Sequence, residues 1–181
     1  MDVDFLRSLP LFMPLREEET ALLLRQFTQK VLKRGDFLFR QGDDGKEMYV
    51  VERGSIKVIF EDTLSGQKAE IAHLGPGAVL GEMALIDPAP RSAAAICDSP
   101  CIVQSFSSGT FNQLRSQQNS AAYSLLRSIT LVLCERLRTV NDQIALLMGK
   151  PQTYLETMGL SDHRELLTRS KRLITSLQVK D

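Results

Sequence analysis

Residues Gly77 to Ala95 read GAVLGEMALIDPAPRSAAA. Glu82 and Arg91 stand here in a run that is otherwise small, apolar or turn-forming. Gly77 and Gly81 punctuate its first half. Asp87-Pro88-Ala89-Pro90 forces a turn in the second half and brings Arg91 back. After Gly81 the small, apolar residues can take one helical turn. The first N–H groups of such a turn have no internal acceptor, so together they can meet an anion. Gly81 and Ala84 are small enough to let a ligand reach the main chain.

Arg91 offers a planar fork that suits a phosphate, whereas an isolated buried guanidinium would be costly. Ser92 can add a hydroxyl. Glu82 would repel a phosphate, but it fits if it accepts hydrogen bonds from hydroxyls of the same ligand, a ribose in particular. Phosphate on one side and sugar hydroxyl on the other describe a nucleotide. Taken alone, the spacing favours a plainer arrangement, a Glu82–Arg91 salt bridge closing an ordinary loop.

On both sides of this run the pattern is that of strands. From Lys30 to Ser107, short β-rich runs alternate with glycine turns: VLKRG, DFLFRQG, EMYVVERG, SIKVIFED, KAEIAHLGPG, SAAAIC and CIVQSF. Several short strands at this spacing predict an antiparallel sandwich or barrel. Residues 1–28 read as helical and are broken at Pro10 and Pro14. Glu17, Glu18 and Glu19 suit the first turn of a helix running to about Phe27, with negative charge at the positive dipole end.

Beyond Thr110 the helical period returns, as a short helix over 110–118 and a long one over 120–148. Gly149 and Pro151 stop the second, which at 1.5 Å per residue spans roughly 44 Å. Leu126, Thr130, Leu133, Leu137, Val140, Ile144 and Leu147 form a heptad seam along it. Ala122, Leu125, Ile129 and Val132 form a second apolar edge, suited to the barrel. Two edges imply two partners, so a homodimer through helix 120–148 is expected. The last segment, 150–181, holds one more amphipathic helix. Its apolar side is Leu166, Leu167, Leu173, Ile174 and Leu177, and its basic residues read as a solvated face. The expected class is α+β, an antiparallel, jelly-roll-like β-roll with N-terminal helices and a long C-terminal helix. Its divisions are 1–28 (helical), 29–109 (β-roll, with the loop 81–93), 110–149 (short and long helix) and 150–181 (extension).

Composition narrows the function. The 181 residues carry 22 Lys+Arg and 22 Asp+Glu, a formal charge of zero, which argues against nucleic-acid phosphates as the main partner. There is no apolar run long enough for a membrane span and no signal-peptide pattern at the N-terminus. Three cysteines are an odd number without framework spacing, so a reduced, cytoplasmic chain is expected. Cys97 and Cys101 have no nearby histidine, and a zinc site normally needs four ligands. His73 and His163 are the only histidines. With no nucleophile–base pair and no metal triad, neither an enzyme nor a cofactor or metal is expected.

The segments Gly81-Glu82-Met83-Ala84-Leu85 and Pro90-Arg91-Ser92-Ala93 resemble the phosphate-binding cassette of the cyclic nucleotide-binding domain family. That family includes catabolite activators, kinase regulatory subunits and gated channels. The Gly-to-Arg spacing equals that of the kinase regulators and is one shorter than in the activators. Lys33-Arg34-Gly35-Asp36, Arg40-Gln41-Gly42-Asp43 and Met48-Tyr49-Val50-Val51-Glu52-Arg53-Gly54 resemble the family's strand-and-turn pattern, and the likeness covers residues 5–148.

The resemblance implies that Glu82 binds the ribose 2′-hydroxyl and that Arg91 pairs with the cyclic phosphate. Met83 and Ala84 N–H, with Ser92 and Ala93, would complete the cassette begun at Gly81. Val58 and Ile71 match positions around sugar and base. Arg136, Val140 and Asn141 match positions near the base in the activators. The chain departs from that pattern at Val140, where activators carry a hydroxyl and valine cannot hydrogen-bond; Asn141 can donate and accept in its place. A hydroxyl at Ser92 occurs in guanine-preferring domains, usually as threonine, and as serine in adenine-binding ones. The expectation is a cAMP sensor, with cGMP second, that signals through helix rearrangement to another protein. A docking module without ligand is the first rival. A DNA-binding regulator is the second, disfavoured because the 31 residues from Pro151 onward leave no room for a winged helix.

Overall fold

The computed structural model describes residues 1–62 and 65–147, with side chains through residue 144. The extension 150–181 lies outside the described residues. The chain divides into two units, Met1–Ile129 and the part from Thr130 onward.

The first unit opens with α1 (Val3–Ser8), capped by the Asp2 carboxylate, and α2 (Glu17–Leu24). The second helix ends at Leu24, short of the expected Phe27. Gln26 and Phe27 N–H groups turn back to the carbonyls of Leu23 and Leu24, and the strand begins at Thr28. Among the described residues eight strands follow: β1 (Thr28–Leu32), β2 (Phe37–Phe39), β3 (Glu47–Arg53), β4 (Ile56–Glu61), β5 (Lys68–Leu74), β6 (Val79–Leu80), β7 (Ala94–Cys97) and β8 (Cys101–Ser107). They form two antiparallel four-stranded sheets, ordered β1-β8-β3-β6 and β2-β7-β4-β5. This is the α+β roll expected of the sequence. One strand is new: β6, whose Leu80 and Val79 pair with Tyr49 and Val50. Two residues are too few to show the period-2 alternation by which strands are read.

The core lies between the sheets. Tyr49, Val51, Leu80 and Val103 of the first sheet face Ile56, Leu74, Ala95 and Cys97 of the second. Burial of side chains of this size stabilises by about 1.5–3 kcal/mol each. The first sheet is covered on its other face too, which is why β3 carries the unbroken apolar run Met48–Val51 and every member of it is buried. Phe106 on that face packs on Phe27 at 5.3 Å between ring centres, and Phe27 packs edge-on against Phe12 at 6.2 Å.

After β8 come α3 (Ser108–Ser116), capped by the Ser107 hydroxyl, and α4 (Ser120–Leu147). Within the first unit Ala122, Leu125 and Ile129 of α4 are buried. Ser124 donates to Glu19 of α2 at 3.1 Å, and Arg16 bonds the Ser120 hydroxyl at 3.2 Å. Glu19 stands in the first turn of α2, as expected, and is also a buried carboxylate that joins two helices. In the second unit, Leu137, Val140 and Ile144 of α4 are exposed. No helix among the described residues is long and apolar enough to cross a membrane.

Candidate functional site

β6 ends at Leu80 and the chain enters Gly81 with φ 68° and ψ 21°, the left-handed region that favours glycine. A Cβ at Gly81 would also collide with Nη1 of Arg91. The glycine is therefore required twice, by its dihedrals and by the approach of Arg91. One 3-10 turn follows, Glu82–Leu85. It packs against β3 and α3. The turn is tighter than an α-helix, and the Ala84 N–H donates to the Gly81 carbonyl at 3.1 Å. Glu82 and Ala84 face inward and are buried, while Met83 is exposed.

The Asp87–Pro90 segment then leads to Arg91, whose main chain is sewn to the turn after β2. Arg91 N–H donates to the Asp43 carbonyl at 2.8 Å, and Gly42 N–H donates to the Arg91 carbonyl at 2.9 Å. The side chain of Arg91 runs inward and is 9% exposed. Its Nη1 donates to the Gly81 carbonyl at 3.3 Å and its Nη2 to the Glu47 carbonyl at 2.5 Å. Its Nε is buried without a hydrogen-bond partner. An unpaired buried donor on a cation costs free energy. Its bonds go to carbonyls, so the arrangement of a simple Glu82–Arg91 bridge is not what holds it. Ser92, next in the chain, is exposed, and Ala93 is buried.

Two aromatic rings, Phe39 and Tyr49, lie against the Arg91 guanidinium, a contact the sequence did not mark. The guanidinium carbon lies 4.3 Å from the Phe39 ring centre and 5.8 Å from that of Tyr49. Those rings stack at 5.9 Å with 27° between planes. The Tyr49 hydroxyl donates to Glu47 Oε2 at 2.6 Å, and Lys30 Nζ bonds the same oxygen at 2.6 Å. Burial pushes the Glu47 carboxyl up, but the bonds from Lys30 and Tyr49 outweigh it and hold the acid below its usual range. Burial and then the Glu47 bond push the Tyr49 phenol well above its ordinary value.

The other expected residues divide. Val58 on β4 pairs with Ala72 and Ala95 and packs on the core, whereas Ile71 on β5 is 60% exposed beside a bulge in the β4–β5 ladder. Along β5 the inward positions are Ala72 and Leu74. Arg136, Val140 and Asn141 stand on the part of α4 that belongs to the second unit; Val140 and Asn141 are exposed and Arg136 is half-buried. His73 faces Asp98, with Nε2 3.4 Å from its carboxylate.

Residues 29–118 match the family model described as the cyclic nucleotide-binding domain. The chain belongs to the cyclic nucleotide-binding domain family. It is similar to the cyclic AMP receptor protein of Thermus thermophilus, with 31% identity over 145 residues, 80% of this chain and 58% of that protein. It is also similar to a Drosophila melanogaster cGMP-dependent protein kinase, with 32% identity over 117 residues, 62% of this chain and 12% of the kinase. The chain therefore spans little more than half of the first relative and a small part of the second. Among solved structures, the N-terminal domain of a transcriptional regulator from Streptomyces coelicolor superposes with a TM-score of 0.66 at 33% identity, covering 78% of this chain and 95% of that one. The matched span 29–118 contains the loop 81–93, in which the buried guanidinium lies.

Proposed function

We propose that this chain is a cyclic-nucleotide sensor that prefers cAMP to cGMP and passes the signal to a partner protein. The observation that carries the reading is Arg91: a buried guanidinium with an unpartnered Nε, held beside a left-handed glycine and a buried glutamate. In this reading Arg91 pairs with the cyclic phosphate and Glu82 accepts from the ribose hydroxyl. Ala84 N–H is bonded to the Gly81 carbonyl, so its use by the ligand requires the 3-10 turn to relax. Ligand shifts such an equilibrium only by its differential affinity for the two arrangements.

The preference for cAMP is supported by Ser92, where guanine-preferring relatives usually carry threonine. The similar proteins include both a cyclic AMP receptor protein and a cGMP-dependent protein kinase. The exposed seam of Leu137, Val140 and Ile144 supports a homodimer through α4, because it continues in heptad register from Leu133. Free cysteines fit a reducing cytoplasm. A second reading, the sensor part of a transcription regulator, draws on the Streptomyces match and on the 58% span of the Thermus relative.

The test is a thermal melt with cAMP, cGMP or 5′-AMP. Ligand at a hundred times its Kd adds about 2.7 kcal/mol, a rise of roughly 5–10 °C for a chain of this size. A rise with a cyclic nucleotide, absent in Arg91→Ala, supports the sensor. No shift at millimolar ligand sinks it and leaves a docking module.

A further inference from the structure

Glu47 bonds in two directions. Its main-chain carbonyl accepts from Arg91 Nη2, and its carboxylate accepts from Tyr49 and Lys30. The Tyr49 ring lies between these events: its hydroxyl is tied to Glu47 and its face stacks with Phe39, on which the guanidinium rests. Lys30 also sits 5.2 Å over the same ring. The three residues come from two strands of one sheet, Lys30 from β1 and Glu47 and Tyr49 from β3, with β8 between them.

We infer that Lys30, Glu47 and Tyr49 are positioning residues for Arg91, which set the strength with which it holds a phosphate without touching that phosphate. The physical argument is one of preorganisation. An arginine side chain free to rotate loses rotamer entropy when it binds, and that loss weakens affinity. Here two carbonyls fix the edges of the guanidinium and an aromatic face fixes its plane, leaving Nε with no competing partner. The aromatic face keeps its place only if Tyr49 keeps its place. A buried Tyr49 bonded to a carboxylate, itself neutralised by Lys30, is a fixed one. Removing Lys30 leaves Glu47 short of its counter-charge; removing the Tyr49 hydroxyl frees the ring.

The identity of the anion rests on the cyclic-nucleotide reading above, so the experiment has one arm with ligand and one without. In the arm without ligand, protein with labelled arginine is observed by NMR, and the Arg91 Nε and Nη signals are assigned from Arg91→Lys. Slow rotation and separate Nη signals are expected in the unaltered protein, with merging or broadening in Tyr49→Phe and Lys30→Met. In the arm with ligand, the Kd for cAMP is measured by calorimetry. Each substitution should raise it about 3- to 10-fold, the worth of one net hydrogen bond. In the Arg91→Lys background the same substitutions should change it by less than about 2-fold, because the group they position is gone. Tyr49→Phe keeps the ring and the core, so folding is preserved. Glu47→Gln, which keeps the shape and the main-chain carbonyl, serves as a third variant.

Unchanged Arg91 signals in all three variants would overturn the inference. So would equal losses of affinity in both backgrounds, since a merely structural role acts without Arg91. A failure of cAMP and cGMP to bind the unaltered protein counts against the sensor reading alone, and the NMR arm then decides the positioning.

Discussion

Arg91 donates from Nη2 to the main-chain carbonyl of Glu47, a residue 44 positions earlier in the chain. The bond ties the loop ahead of β7 to the first residue of β3. Because Nη1 reaches the Gly81 carbonyl at the same time, the guanidinium bridges three separate stretches of chain. A ligand that takes up Arg91 must therefore be felt in both β3 and the 3-10 turn.

Gly81→Ala should lose stability and ligand together. Alanine at φ 68° costs roughly 1–2 kcal/mol, and its Cβ would displace the Arg91 guanidinium. A melt should show a Tm lower by several degrees and no added rise with cAMP. A Tm shift with cAMP equal to that of the unaltered protein would refute the geometry at Gly81.

Glu82 should read the 2′-hydroxyl of the ribose. The unaltered protein is expected to bind 2′-deoxy-cAMP at least about 10-fold more weakly than cAMP, the worth of a hydrogen bond to a charged group. Glu82→Ala should bind both weakly and equally. Calorimetry with the two ligands decides, and a discrimination that survives Glu82→Ala would assign the hydroxyl to another residue.

Glu19 should make the α2–α4 contact sensitive to acid. Burial pushes its carboxyl up, but bonds from Arg16, Ser120 and Ser124 outweigh this and bring it from 4.5 to about 2. A group whose folded value is depressed stabilises above its unfolded value and loses that contribution as pH falls toward the folded one. The Tm difference between the unaltered protein and Glu19→Gln should be largest at pH 6–7 and should shrink from about pH 5 down to pH 2. A constant difference would place the effect in packing instead.

The exposed α4 seam should hold two copies together. Leu137 is 62% exposed. Leu137→Glu places a like charge at the centre of the seam on both copies, so sedimentation should show monomer where the unaltered protein sedimentates as dimer. The Tm of the β-roll at low concentration should be nearly unchanged. A monomeric unaltered protein would refute the dimer.

Much of this was readable along the chain because it depends on local chemistry. Glycines mark the turns, alternating apolar runs mark the strands, and the run from Gly81 to Ala93 carries its own signature of glycine, carboxylate, proline turn and arginine. These features specify the α+β roll, its order of elements and its family. What surrounds Arg91 was not readable. Its carbonyl partner Glu47, its aromatic seat on Phe39 and the Lys30–Glu47–Tyr49 bonds join residues far apart in sequence. Such contacts follow from strand register and from which sheet covers which, and a single sequence does not encode those as a local pattern. The same holds for Glu19, one of three adjacent glutamates and alike to them on paper, which packing alone singled out for burial against α4.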